Sequence, residues 1–147
     1  MRGNAARNFD PLTDEEVGYA RQCWEVLGGI STALDVSRAK TTGSSTAFDP
    51  MTKTVMLGAD ALPGIGSDAN SRMSMLACLS HELAHAERDA AGIARTTELP
   101  MGFLDEAETS IQAATRELVL SRRDRMDLVE DAGDRLQGWR DYMETKT

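Results

Sequence analysis

Both histidines of the 147-residue chain lie in one octapeptide, Leu79-Ser80-His81-Glu82-Leu83-Ala84-His85-Ala86, and no other stretch limits the fold so tightly. Four residues make about one helical turn, so His81 and His85 return to the same face of a helix. Two neutral imidazoles on one face can bind a zinc ion from the same side. Glu82 then points toward the open side of the metal, where a water would sit. A carboxylate there can take a proton from the metal-bound water as it attacks a carbonyl, and later hand it to the leaving amine. Leu76, Leu79 and Leu83 fall on the opposite face, so the spacing predicts a helix with one packed side and one ligating side.

A zinc site that keeps one position for water needs a third protein ligand. The chain has no third histidine, and position 91, where an extended histidine motif would place one, is Ala91. The third ligand is therefore a carboxylate or a thiolate. Gly92 is expected to end the histidine helix as a left-handed cap, and residues 93–102 to turn the chain back. The helix that follows carries Asp105, Glu106 and Glu108, with Ala107, Ile111, Ala114 and Leu118 as its buried stripe. The three carboxylates are the candidate ligands; alternatively they simply favour the positive end of the helix dipole. Cys78, three residues before His81, is read as a small core residue in preference to a thiolate ligand.

Elsewhere the chain is punctuated by local signals. Residues 1–11 are polar and expected to be loose. Thr13 and Glu16 have capping-box spacing, Leu12 and Val17 form a hydrophobic staple, and Val17, Ala20, Trp24 and Leu27 make one buried stripe. Gly28-Gly29 interrupts that helix, and Ile30, Ala33 and Leu34 fit a second short helix or the approach to a strand. Thr46-Ala47-Phe48 and Lys53–Leu57 flank Asp49-Pro50-Met51-Thr52, which predicts a β-hairpin just before the histidine helix. Leu62–Asp68 reads as a connector, with a helix starting near Ser67 or Asp68 and running through Met73 into the motif. In the last third, Ser121–Arg125 is expected to form a bend or charged turn, after which Val129, Ala132, Leu136, Trp139 and Met143 supply a packing or partner face.

The length suits one domain, residues 1–147. A net charge of -8 argues against sequence-independent nucleic-acid binding and against an anionic membrane surface. Arg122, Arg123 and Arg125 are balanced by Asp124, Asp127, Glu130 and Asp131, which fits a solvated face. Two distant cysteines make no disulfide framework. Neither a membrane span nor a secretory signal is visible, so the expected location is the cytoplasm, or export by another route.

His81-Glu82-x-x-His85 followed by Asp105-Glu106-Ala107-Glu108-Thr109 resembles the glutamate-zincin metallopeptidases. The likeness is greatest to the compact branch that includes clostridial neurotoxin light chains and bacterial effector and toxin-domain peptidases. That branch pairs the histidine motif with a downstream Glu-Glu-x-x-Thr, here with aspartate in the first place. The resemblance implies an α+β, zincin-like domain, mostly helical with a small antiparallel sheet or hairpin over the active-site helix. It implies zinc held by His81, His85 and Glu106, with Glu82 as general base and Asp105 orienting a ligand or the water. Activity would be hydrolysis of a peptide bond in a protein or peptide substrate, in an effector-like, toxin-like or regulatory role. The sequence departs from the form with an aspartate four residues past the ligand, since that position is Ser110. Tyr142 and Arg116 are candidates for steadying the oxyanion, although Tyr142 is read as a buried structural residue in preference to that role. The alternatives are a catalytically inactive zincin-like binding module, zinc-stabilised or metal-free, and an adaptor whose C-terminal amphipathic helix drives self-association.

Overall fold

Thr13 starts the first helix. Its hydroxyl accepts from the Glu16 backbone N–H at 3.2 Å while Glu16 Oε1 accepts from the Thr13 N–H at 2.8 Å, the capping box expected from the spacing. The computed structural model describes residues 6–116 and 118–146 and carries this helix, α1, over Asp14–Val26. Gly28 ends it at φ 81°, a left-handed conformation that favours glycine. The next segment contains both of the forms open to it. Ile30 sits in a 3-10 turn, Gly29–Ser31, while Ala33 and Leu34 belong to strand β1, Ala33–Asp35.

The hairpin forms as read, from β2 (Ala47–Asp49) and β3 (Thr54–Met56), antiparallel with Phe48 opposite Val55. The sheet is not purely antiparallel, however. β1 pairs parallel to β3 on its other edge, giving a three-stranded mixed sheet in the order β1-β3-β2. The hairpin leaves that edge of β3 open, and β1 closes it over the fully buried Val55. Among the described residues, the outer edge of β2 has no strand partner.

Two expectations about the approach to the histidine helix are corrected. Residues 6–11 are not loose: Arg7 is buried, and its guanidinium donates to the carbonyls of Asp60 (2.6 Å), Ala61 (2.9 Å), Met73 (3.0 Å) and Asn70. Residues 1–5, which shared that expectation, lie outside the described residues. Nor does one helix run from Asp68 into the motif. Asp68 caps a short helix, α2 (Ala69–Arg72), Met73 is extended at ψ 132°, and Ser74 caps a new helix, α3 (Met75–Ala90). A continuous helix would pair the Met73 carbonyl with the Ala77 N–H. Arg7 takes that carbonyl, and Ser74 Oγ accepts from Ala77 N–H at 3.1 Å instead.

α3 is the central helix: eleven of its sixteen residues are buried, and it touches α1, β2, β3 and the two helices that follow. It ends as predicted at Gly92, φ 71°, with Gly92 N–H on Asp89 C=O and Ile93 N–H on Arg88 C=O, a Schellman pair. α4 spans Met101–Ala114 and α5 spans Arg122–Thr145. Ser121 is not a bend but the cap of α5, accepting from Asp124 N–H at 3.0 Å.

Both predicted stripes on these helices are partly wrong. On α4, Ile111 is exposed and Leu118 lies past the helix end, whereas Thr109, Ser110 and Ala113 are buried beside Ala107. On α5, Val129, Leu136 and Met143 face outward, and Asp127, Leu128, Asp131 and Ala132 face in. Polar side chains with buried partners took places that spacing assigned to apolar ones. One hydrophobic cluster runs from Leu12 to Leu128. Among the described residues, no helix is long and apolar enough to cross a membrane.

Candidate metal centre

α3 presents His81 and His85 one turn apart, with ring centroids 4.7 Å apart. α4 brings Glu106 to both: its Oε2 lies 2.9 Å from His81 Nε2, and its Oε1 lies 3.2 Å from His85 Nε2. Ligand atoms of these three residues all fall within 4.8 Å of one another. Among the described residues they are the group of this kind that could hold a metal ion. Zinc bonds of 2.0–2.2 Å in a tetrahedron separate neighbouring donors by about 3.3 Å, so the two spacings lie close to that requirement.

The other two candidate carboxylates on α4 are engaged elsewhere. Asp105 Oδ1 accepts from the Arg95 backbone N–H at 2.8 Å and stands 3.5 Å from Arg88 Nη2. Its Oδ2 is 3.8 Å from His85 Nδ1, on the side of the ring away from Glu106. Glu108 pairs with Arg95 and lies 3.5 Å from Arg88. Cys78 is fully buried in the hydrophobic cluster.

Hydrogen bonds behind the rings decide where the ring protons sit. Thr109 Oγ1 donates to the Asp105 carbonyl at 2.6 Å and lies 3.4 Å from His85 Nδ1. Ser110 Oγ donates to Asp131 Oδ2 at 2.7 Å and lies 2.8 Å from His81 Nδ1. A hydroxyl has one proton, and carbonyl and carboxylate oxygens only accept. Both hydroxyls are thereby set to accept from the histidines, and a proton on each Nδ1 leaves a lone pair on each Nε2. Burial first, and the neighbouring His85, push His81 down to about 4 despite the opposing pull of Glu106, so its ring is uncharged at neutral pH. Two nitrogen lone pairs thus face two carboxylate oxygens without a proton to share. That donor set suits a divalent cation.

Glu82 is fully buried on α3 and lines, with His85 and Glu106, a cleft of about 300 Å³. Ala47, Phe48 and Pro50 form one wall, so the edge strand β2 borders the cleft; Arg95, Thr97 and Gly102 form another. A Cβ on Gly102 would meet Thr97 O at 2.5 Å, so only glycine lets the loop close against α4 here.

Compared with protein-family models, curated proteins and solved structures, the chain matches none.

Neither candidate for the oxyanion reaches the cleft. Arg116 lies on Ser80 Oγ (3.0 Å) and Glu87, and half-buried Tyr142 packs 6.5 Å from Phe103. Sequence reasoning assigned no role here to Arg88, Arg95, Thr109, Asp131 or Arg135. The available signal was Asp131 and Arg135, one turn apart on α5, as a charged pair on an inward face.

Proposed function

We propose that this protein is a zinc-dependent metallopeptidase of the glutamate-zincin kind. The observation that carries the reading is the meeting of His81 Nε2, His85 Nε2 and the Glu106 carboxylate, with His85 and Glu106 lining one cleft together with Glu82. When bound there, zinc supplies Lewis-acid polarisation and lowers the pKa of water. His81, His85 and Glu106 would hold it, two neutral donors and one charge leaving the site net positive. Glu82 holds and moves the proton: its carboxylate accepts one from the attacking water and delivers it to the leaving amine. The free edge of β2 is suited to an extended peptide, whose main chain can pair with an open strand while its side chains meet Phe48 and Pro50. The substrate class that follows is a protein or peptide segment in extended conformation.

Glu82→Gln keeps the size of the side chain and removes its basicity. Zinc content by elemental analysis is expected to stay at the wild-type level, while cleavage of a mixed peptide library falls about 10²–10⁴-fold. Unchanged cleavage would remove Glu82 from the chemistry. Outward-facing Val129, Leu136 and Met143 favour a second reading, a binding module that associates through α5. On that reading, sedimentation shows self-association that survives chelation.

A further inference from the structure

We propose that Asp131 and Arg135, on the C-terminal helix α5, are positioning residues of the metal centre, Asp131 acting on His81 through Ser110 and Arg135 joining Asp131 to Glu106. The proposal rests on the metal-centre reading above and extends it to a third helix.

Asp131 is only 1% exposed, and a carboxylate so buried persists only with partners. Its partners lead back to the centre. Ser110 Oγ donates to Oδ2 at 2.7 Å, and Arg135 Nε donates to Oδ1 at 3.3 Å. Arg135 Nη1 then stands 3.9 Å from Glu106 Oε2, which is 2.9 Å from His81 Nε2. His81 Nδ1 lies 2.8 Å from Ser110 Oγ, closing a circuit of five side chains from three helices. The charge of Asp131 fixes which way that circuit runs. A carboxylate cannot donate, so Ser110 spends its single proton on Asp131 and presents only a lone pair to His81. The His81 proton is thereby held at Nδ1, and Nε2 stays open toward Glu106. Arg135 holds the other oxygen of Asp131, so the carboxylate cannot rotate away from Ser110, and its positive charge lies beside the Glu106 oxygen.

Asp131→Asn keeps the shape and reverses the relay. The amide oxygen remains with Arg135, because its NH₂ would face a cation there, and the NH₂ donates to Ser110. The Ser110 proton then goes to His81 Nδ1, and the ring proton moves to Nε2, against Glu106. Asp127→Asn is the control: Asp127 is a buried carboxylate on the same helix, but its partner is Arg72 at 3.0 Å, away from the centre.

The test is competition for Zn²⁺ against a chromophoric chelator, with folding of each variant followed by circular dichroism. Asp131→Asn and Ser110→Ala are expected to weaken zinc binding about 10–100-fold, the usual effect of losing a group that orients a ligand. The double variant should be no weaker than Asp131→Asn alone, because both act along one path. Asp127→Asn should bind zinc within about twofold of wild type even where it melts earlier, as the two carboxylates share no partner. Zinc affinity within about twofold of wild type in a folded Asp131→Asn would overturn the proposal. A wild-type protein that takes up no zinc would instead sink the metal reading itself. The wild-type, metal-free chain decides the relay without any variant. ¹⁵N-histidine spectra contain only two rings, and His81 Nδ1 is expected to be protonated. An unprotonated Nδ1 would mean that Ser110 donates to His81 and that Asp131 does not direct it.

Discussion

Glu106 differs from its neighbours on α4 in what surrounds it. Asp105 and Glu108 are claimed by Arg88 and Arg95, while the Glu106 carboxylate meets two imidazole nitrogens. Glu106→Ala should therefore weaken zinc binding by more than the about 10–100-fold that loss of a supporting hydrogen bond costs. Glu108→Ala should retain full stoichiometry, and elemental analysis of the two purified variants checks the pair. His81 gives a pH dependence to the metal-free protein. Its folded pKa is pushed down to about 4 from an ordinary 6.5, by burial first. The unfolded chain thus binds a proton that the folded chain refuses, and stability is complete above the unfolded value and lost as pH falls toward the folded one. Unfolding by urea after chelation should show a loss of about 2 kcal/mol between about pH 7.5 and about pH 5, from His81 alone. A flat profile would show that this ring is not buried in its neutral form.

At the scale of the elements, α3 works because it begins and ends where it does. Ser74 Oγ takes the Ala77 N–H, and Gly92 closes the last turn. Ser74→Ala should cost about 1 kcal/mol in urea denaturation, the usual cost of losing such a cap. α4 and α5 pose a different problem. Their apolar spacing predicted Ile111, Leu118, Val129, Leu136 and Met143 as inward positions, yet these are exposed or off the helix. The inward positions of these helices instead include Thr109, Ser110, Asp127 and Asp131. Hydrophobic period reads the apolar share of a buried face and is blind to polar groups satisfied by another element. Ser110, read from the sequence as the absence of an aspartate, is the link to one on α5.

For the whole molecule, the N-terminal segment and the histidine helix are coupled through one guanidinium. Arg7 donates to carbonyls of the 3-10 turn at Ala59–Ala61, of α2 and of the break before α3. Arg7→Ala would leave these buried acceptors without a donor and should cost about 3 kcal/mol in global stability, read from denaturant midpoints. A change under about 1 kcal/mol would mean that water replaces the guanidinium freely. Local spacing alone determined the histidine helix with its closing glycine, the capping box at Thr13 and the hairpin before the motif. Each depends on residues within a few positions of one another, where side-chain chemistry and helix or strand period leave little choice. Tertiary structure decided the remainder: the parallel pairing of β1, the break at Met73, which carboxylate of α4 meets the imidazoles, and the carboxylate of α5 behind them. Those outcomes depend on partners tens of residues away, whose approach is set by packing, and no periodicity in the chain encodes which distant donor will satisfy which buried acceptor.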